Sequence, residues 1–419
     1  MATLSQRGFV SHESDDDMAG KLGKPVVLYA GFDPTADSLH VGHLMQIMLL
    51  AQFQRHGHTP IALVGGATAM IGDPSGKSEE RNLLSEETIQ QNMEGIKKQL
   101  HRFLDFSCDG NRAIMVNNAD WIGKFSFVEF LRDVGKHFRV GEMMGKESVR
   151  KRLQSEVGMS FTEFSYQLLQ SYDFLHLSRE YDCTLQVGGD DQWGNITAGI
   201  DLVRKLDGRA VYGLTSPLLT NAGGQKFGKT EAGAVWLDEQ KTSPYEFYQY
   251  WVRTDDRDVV GLLKLFTFLP MERIAELEKQ VHDEPEARQS QKVLAQEVTK
   301  LVHGDEQVAL AVKASQVLFG QEISGLSDEI LNSIFNDVPS SKVSRRRLSE
   351  GIPLPEALCD AKLCSSRGEA KRLIKSGGVY VNNVRIDSID YTLTMESLAS
   401  ESMVVLRSGK KNYHLLRFR

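Results

Sequence analysis

Between Leu22 and Val211, short runs rich in β-forming residues alternate with amphipathic stretches of helical period. That alternation leaves few architectures open. The strand-like runs fall at 25–30, 60–66, 113–117, 183–189 and 210–214, and the helical ones near 39–56, 85–104, 126–135, 161–176 and 194–206. Strand and helix repeated in this way predict a doubly wound, Rossmann-type α/β domain, a parallel sheet with helices on both faces. Ligands of such sheets sit at the carboxyl ends of strands, and each notable polar cluster here follows a strand.

The first cluster is YAGFDPTADSLHVGH, residues 29–43. A strand through Tyr29 runs into a turn at Gly31–Pro34. Ser38 is the expected N-cap of a helix whose apolar Leu44, Ile47, Met48 and Ala51 keep helical spacing, with Gly57 as its stop. His40 and His43 share a face of the opening turn, beside backbone N–H groups that no helical carbonyl can take. This is equally a nucleotide-phosphate site or an ordinary pair of capping histidines. IGDPSGK (71–77) brings Asp73 and Lys77 into a turn but lacks the Walker A spacing. In FTEFSYQLLQSYDFL (161–175), Phe161, Phe164, Leu168, Tyr172 and Leu175 make an apolar arc expected to pack inward. Tyr166, Gln170 and Asp173 stand on another arc, either a wetted helix face or the polar wall of a pocket.

QVGGDDQWGN (186–195) sets paired glycines before Asp191, so a ligand could approach the backbone and a carboxylate could take ribose hydroxyls. GGQKFGKT (223–230) places Lys226, Lys229 and Thr230 in a glycine-rich loop suited to closing over polyphosphate, although such loops are common. From Ser243 to about Asp337 the chain reads as helical, with Trp251, Leu262, Leu263, Leu265 and Phe266 as core candidates. VPSSKVS (338–344) reads as a linker. Beyond it, SSRGEAKRLIKSGGVYVNN (365–383) predicts a helix carrying Arg367, Lys371, Arg372 and Lys375, then a turn and a strand. Charge separates along the chain. Residues 341–419 hold 15 basic and 8 acidic groups, a net +7, so the overall −7 leaves −14 on residues 1–340. A basic end on an acidic body suits an RNA-backbone contact, and equally a solvated helix face.

No apolar run approaches membrane-spanning length, and the N-terminus, with Glu13, Asp15, Asp16 and Asp17, reads as neither a secretory signal nor a transit peptide. Cys108, Cys183, Cys359 and Cys364 form no CxxC pair, the pattern of free thiols in a reducing compartment.

HVGH, KFGKT, GGDDQWGN and SSRGEAKRLIKSGGVYVNN, in this order in one chain, resemble the bacterial-type tyrosyl-tRNA synthetases of class I. GFDPTADSLH, FTEFSYQLLQSYDF, DQWGNITAG and KTSPYEFYQ extend the likeness over nearly the whole chain from about Val26. The resemblance implies a Rossmann-type catalytic domain over 1–230, a helical anticodon-side tRNA domain over 231–340 and an RNA-binding domain over 350–419. It implies activation of L-tyrosine by ATP, with Mg²⁺ accompanying the ATP, then transfer of tyrosyl to tRNA(Tyr). His40, His43, Thr35, Lys226, Lys229 and Thr230 would be catalytic. Tyr29, Asp73, Tyr166, Gln170, Asp173 and Gln192 would hold tyrosine. Gly31, Asp33, Gly42, Gly189, Asp191 and Lys229 would hold ATP. Lys146, Arg204 and Lys205 would grip the tRNA, with Arg367, Lys371, Arg372 and Lys375 of the basic helix. The family pattern also implies a cytoplasmic homodimer, with Phe161 and residues 135–138 near the contact, and no metal site in the protein itself.

The chain departs from that pattern at Ala30, Gln46 and Asp190. A tryptophanyl relative shares the fold, but the pairing of Tyr29 with Asp173 favours a phenol. A small nucleotidylyltransferase would have no use for the helical middle or the basic end. An RNA-binding factor that had lost catalysis would not need His40, His43, Lys226 and Lys229.

Overall fold

The computed structural model describes residues 1–75, 84–154, 158–224, 227–230, 233–317, 320–336, 338–409 and 412–419. Two compact units emerge, one of Met1–Thr242 with Val252–Val302, the other of Ser243–Trp251 with His303–Arg419.

The first unit is built on a six-stranded sheet. Its strands are β1 (His12–Glu13), β2 (Val27–Phe32), β3 (Thr59–Val64), β4 (Ile114–Asn117), β5 (Cys183–Gly189) and β6 (Tyr212–Ser216), in the order β1-β6-β5-β2-β3-β4. All pairs are parallel except β1 with β6. The chain winds outward from β2 to β3 and β4, then returns to β5 on the other side of β2. The order therefore reverses between β2 and β5, where sheets of this class place their ligands. The doubly wound expectation holds, with strands within two residues of those predicted. The antiparallel edge β1 is an addition, for its two residues carry no alternating pattern of their own.

Tyr29, Ile61, Leu63, Phe174, Leu177 and Val203 form a core against the sheet. Helix Leu44–Arg55 buries Leu44, Ile47, Met48 and Ala51 as predicted, and ends before Gly57 at φ 87°. Its start differs from expectation. A 3-10 turn Val41–His43 precedes it, and His40, not Ser38, is the cap. Ser38 is buried, its hydroxyl donating to the Leu39 carbonyl and accepting from the Gln99 amide. Helix Phe161–Tyr181 begins at a Ser160/Glu163 capping box and ends at Asp182 in the left-handed region, φ 50°. Phe161 corrects the apolar arc: it stands 67% exposed, while Glu163 in the same first turn is buried.

Helices Asp256–Phe266, Met271–Asp283 and Gln289–His303 complete the helical part of this unit almost entirely. Leu262, Leu263, Leu265 and Phe266 are buried there. The Arg7 guanidinium donates to the carbonyls of Lys264, Thr267 and Leu269, tying the N-terminus to that segment.

In the second unit a five-stranded sheet runs in the order Val384–Arg385, Val379–Val381, Met403–Ser408, Asn412–Phe418, Ser340–Val343. VPSSKVS is therefore no linker: Ser340–Val343 pairs in parallel with Leu415–Phe418. A partner some seventy residues downstream supplies the hydrogen bonds, which no local pattern announces. Helix Arg367–Lys375 is capped by Ser366 and buries Ala370 and Ile374. Asn382 and Asn383, at φ 50° and 64°, make the hairpin turn that follows.

Candidate active site

Two cavities open where the sheet order reverses. The smaller, about 160 Å³, is lined by Tyr29, Gly31, Asp33, Tyr166, Gln170, Asp173, Gln186 and Gln192. The larger, about 400 Å³, is lined by His40, Gly42, Ser75, Gly189, Leu218, Phe227 and Trp236. Thr35, His43, Gln46, Asp73 and Asp191 belong to both, so the two are halves of one cleft.

The long helix points Tyr166, Gln170 and Asp173 into the smaller half, which decides for the pocket wall over the wetted face. Tyr166 Oη donates to Asp33 Oδ2 at 2.8 Å, and Thr68 Oγ1 donates to Asp33 Oδ1 at 2.7 Å. The Asn118 amide donates at 3.0 Å both to Thr68 Oγ1 and to Asp173 Oδ2. Trp121 Nε1–H donates to Asp173 Oδ1 at 2.8 Å. Burial pushes the Asp173 carboxyl up to about 7, against the two donors, and the Asp33 charge adds to the rise. Burial likewise carries the Tyr29 phenol well above its ordinary value, with Asp173 as the next cause.

The Tyr29 hydroxyl and the Gln186 carbonyl oxygen are buried and have no hydrogen-bond partner among the described residues. Both residues line the smaller cavity. A buried polar group without a partner is costly, so the pair marks where a polar ligand would satisfy the protein. On the opposite wall Gln192 Nε2 donates to Asp73 Oδ2 at 2.7 Å, Gln170 Nε2 to Gln192 Oε1 at 3.2 Å, and Asn195 Nδ2 to Gln170 Oε1 at 3.0 Å.

In the larger half the histidine rings lie 4.0 Å apart. His40 Nδ1 accepts the Gly42 N–H at 3.0 Å, and His43 Nδ1 accepts the His40 N–H at 3.1 Å. Each neutral ring must then carry its proton on Nε2, so both present N–H donors. Gly42 permits this, since a Cβ there would lie 2.8 Å from the His40 ring. The glycine-rich loop approaches the same turn. Gly228 has φ 80°, and a Cβ on it would meet Gly42 N at 2.9 Å. Val41 N–H bonds to Val235 O, and Val235 N–H to Gly228 O. Phe227 stacks on Phe266 at 5.5 Å and 7°.

Thus Tyr29, Gly31, Asp33, Thr35, His40, Gly42, His43, Asp73, Tyr166, Gln170, Asp173, Gly189, Asp191 and Gln192 come together as one cleft. Lys77 and Lys226 lie outside the described residues. Lys229–Thr230 pairs by backbone with Gly233–Ala234, and the two side chains are outside the description. Lys146 is half-buried and donates to Thr197 Oγ1, while Arg204 and Lys205 both pair with Asp201. In the second unit Arg367, Lys371, Arg372 and Lys375 are exposed, and Arg367 pairs with Glu356. Sequence reasoning missed Thr68, Asn118, Trp121 and Gln186. The one signal for Asn118 was its place directly after the strand predicted at 113–117.

Comparison with known proteins bears on the whole chain. The family described as "tRNA synthetases class I (W and Y)" matches residues 21–320, and "Tyrosine--tRNA ligase SYY-like C-terminal domain" matches 330–416. The tyrosine–tRNA ligase of Rhodopirellula baltica is 53% identical over 417 residues, covering 99% of this chain and 95% of that relative. That of Geobacillus stearothermophilus is 52% identical over 423 residues, covering 100% and 99%. The crystal structure of a C-terminally truncated mitochondrial tyrosyl-tRNA synthetase from Aspergillus nidulans superposes with a TM-score of 0.68 at 34% identity, over 75% of this chain and 93% of that one.

Proposed function

Because this chain belongs to the tyrosine–tRNA ligases of the class I tRNA synthetase family, we propose that its cleft joins L-tyrosine to ATP and hands the tyrosyl group to tRNA(Tyr). The tyrosine carboxylate is already a nucleophile. It attacks the α-phosphorus in line, forming the acyl–phosphate bond of tyrosyl-adenylate as pyrophosphate leaves. A terminal ribose hydroxyl of the tRNA then takes the tyrosyl group and AMP leaves. Neither step creates a need for a protein nucleophile, so the residues act by position and charge.

The observation that carries this reading is the smaller cavity, with the unpartnered Tyr29 hydroxyl and the buried, donor-held Asp173 both lining it. A phenol can accept from Tyr29 and donate to Asp173. Phenylalanine would leave the Tyr29 hydroxyl unpaired in a buried site and give the Asp173 carboxylate no donor beyond Asn118 and Trp121. In this reading Asp73, Tyr166 and Gln170 hold the ammonium group, and Gln192 reaches the carboxylate. Gly31, Asp33, Gly42, Gly189 and Asp191 serve the nucleotide, Asp191 at the ribose. The Nε2–H groups of His40 and His43, with Thr35, meet the departing pyrophosphate, and Lys226, Lys229 and Thr230 close over it. Contacts made only in the transition state raise the rate more than they tighten ATP binding. Mg²⁺ enters as part of the ATP substrate. The larger half of the cleft offers the two carboxylates Asp73 and Asp191 among amides and imidazoles.

Residues 1–230 are assigned to activation, 231–340 to the anticodon side of the tRNA, and 350–419 to the RNA backbone. Lys146, Arg204, Lys205, Arg367, Lys371, Arg372 and Lys375 are the proposed tRNA contacts. A homodimer is supported by exposed apolar side chains on one stretch of the chain, Phe127, Val128, Leu131, Val140, Met144, Leu153 and Phe161. Free cysteines and the use of tRNA support a cytoplasmic location. No described helix is long and apolar enough to cross a membrane.

Pyrophosphate exchange with each of the twenty amino acids tests the reaction. Exchange with tyrosine alone, abolished by Asp173→Ala, is expected. Exchange driven by another amino acid would discard the substrate, and none at all would discard the reaction.

A further inference from the structure

The acid that opens the turn after β5 faces away from the cleft. Asp190 lines neither cavity, whereas its neighbour Asp191 lines both. Asp190 Oδ1 accepts from Thr215 Oγ1 at 2.6 Å and from His12 Nδ1 at 3.0 Å, and Oδ2 accepts from Ser11 Oγ at 2.7 Å. The donors come from β6 and from the N-terminal segment that forms β1. That segment is itself fastened, with Ser11 N–H on Thr215 O and Ser14 N–H on Gly213 O. The His12 ring also lies 5.5 Å from the Trp193 ring, at the start of the following helix.

Residues 190–192 form a single 3-10 turn. At about three residues per turn, consecutive side chains diverge by roughly 120°. Asp190 points to the sheet edge. Asp191 folds back over Gly189, where a Cβ would sit 2.7 Å from its Oδ1. Gln192 reaches Asp73 at 2.7 Å. Holding one of the three therefore sets the rotation of the other two.

We propose that Asp190 is a positioning residue, anchored by Ser11, His12 and Thr215, which fixes the turn that offers Asp191 to the nucleotide and Gln192 to the amino acid. This rests on the reaction assigned above and gives the N-terminal edge strand a task in it. The hydrogen bonds support the anchor electrostatically: burial alone would raise the Asp190 carboxyl, yet Thr215, Ser11 and His12 hold it below its ordinary range.

Steady-state pyrophosphate exchange with the full-length enzyme tests the proposal. Asp190→Ala should raise KM for ATP by about tenfold, as expected when a binding group is displaced by part of an ångström. Asp190→Asn should restore most of the loss, because an amide can keep all three contacts with one hydroxyl reversed. His12→Ala, at an exposed position, should give a smaller rise in the same constant without risk to folding. In an Asp191→Ala background, Asp190→Ala should add almost nothing, since it acts through Asp191. Unchanged ATP dependence in both Asp190→Ala and His12→Ala would overturn the proposal. So would Asn as damaging as Ala, or full additivity with Asp191→Ala. Absence of tyrosine-dependent exchange in the unmodified enzyme would overturn the reaction itself, and this inference with it.

Discussion

In the proposed reading Asp173 receives a phenol as a buried carboxylate, and burial and ionisation oppose each other. Burial lifts its carboxyl to about 7, while Asn118 and Trp121 pull it back. Since the folded value exceeds the unfolded one, the free protein gains stability from protonated Asp173 that is complete below the ordinary carboxylate range. That gain disappears as pH rises through about 7. Tyrosine binding in the proposed mode runs the other way, because the carboxylate is a stronger acceptor for the phenol than the neutral acid. Affinity for tyrosine, measured by equilibrium dialysis, should fall as pH drops below about 7. Asn118→Ala removes a donor to the charged form and should move that fall to higher pH. A pH-independent affinity in both proteins would mean that Asp173 stays ionised throughout. Of these residues, Tyr166, Gln170 and Asp173 were legible as one arc of a helix. Asn118 and Thr68 were not, because they sit in different βα turns brought together by the pairing of β3 with β4, and only Asn118 then reaches Asp173.

At the scale of elements, helix Phe161–Tyr181 carries Tyr166, Gln170 and Asp173 into the smaller cavity, so its first turn matters. Glu163 closes the capping box and also takes Arg152 NH2 at 2.8 Å, with both side chains under 5% exposed. Glu163→Gln leaves a buried guanidinium uncompensated and should cost about 3–5 kcal/mol in denaturant unfolding. Asp201→Asn, which removes the partly exposed partner of Arg204 and Lys205, should cost under about 1 kcal/mol. Equal losses would show the buried pair to be no stronger than the surface one. The loop is the second element. Gly228→Ala puts a Cβ against Gly42 N at a positive φ, so the loop cannot keep its seat on the histidine turn. Both Gly228→Ala and Lys229→Ala should slow tyrosyl-adenylate formation in single turnover while leaving tyrosine affinity nearly unchanged. An unaltered rate in Lys229→Ala would remove the closing role. Periodicity located these elements well, but their ends less so. Ser38 looked like a cap because serine usually is one, yet a histidine ring took the N–H and the serine went to Gln99. VPSSKVS looked unstructured because its pairing partner is remote in sequence.

For the whole molecule, the charge division is the largest feature that composition made visible. Residues 341–419 carry +7 against −14 on the remainder, so by net charge a polyanion is drawn to the basic end, and any contact elsewhere depends on local clusters of bases. Within that end, not every base is available. Arg347 is engaged by Glu356 and Asp360, and Arg367 by Glu356. Lys371 and Lys375 are exposed on the helix that buries Ala370 and Ile374, and no salt bridge involves either among the described residues. With Arg372, exposed on the same helix, they are the charges proposed to release counterions from an RNA backbone. Reversing both, Lys371→Glu with Lys375→Glu, should raise KM for tRNA in the transfer step. It should also flatten the salt dependence of binding by roughly one unit of slope for each phosphate left without its lysine. Pyrophosphate exchange needs no tRNA and should be untouched, which separates a weakened RNA grip from a damaged fold. A weaker exchange would point to misfolding. Unchanged transfer with an unchanged salt slope would assign this face to solvent and leave the RNA backbone to other residues. Either result acts on a charge pattern that one sequence displays in full, whereas the partner of each charge had to be found in three dimensions.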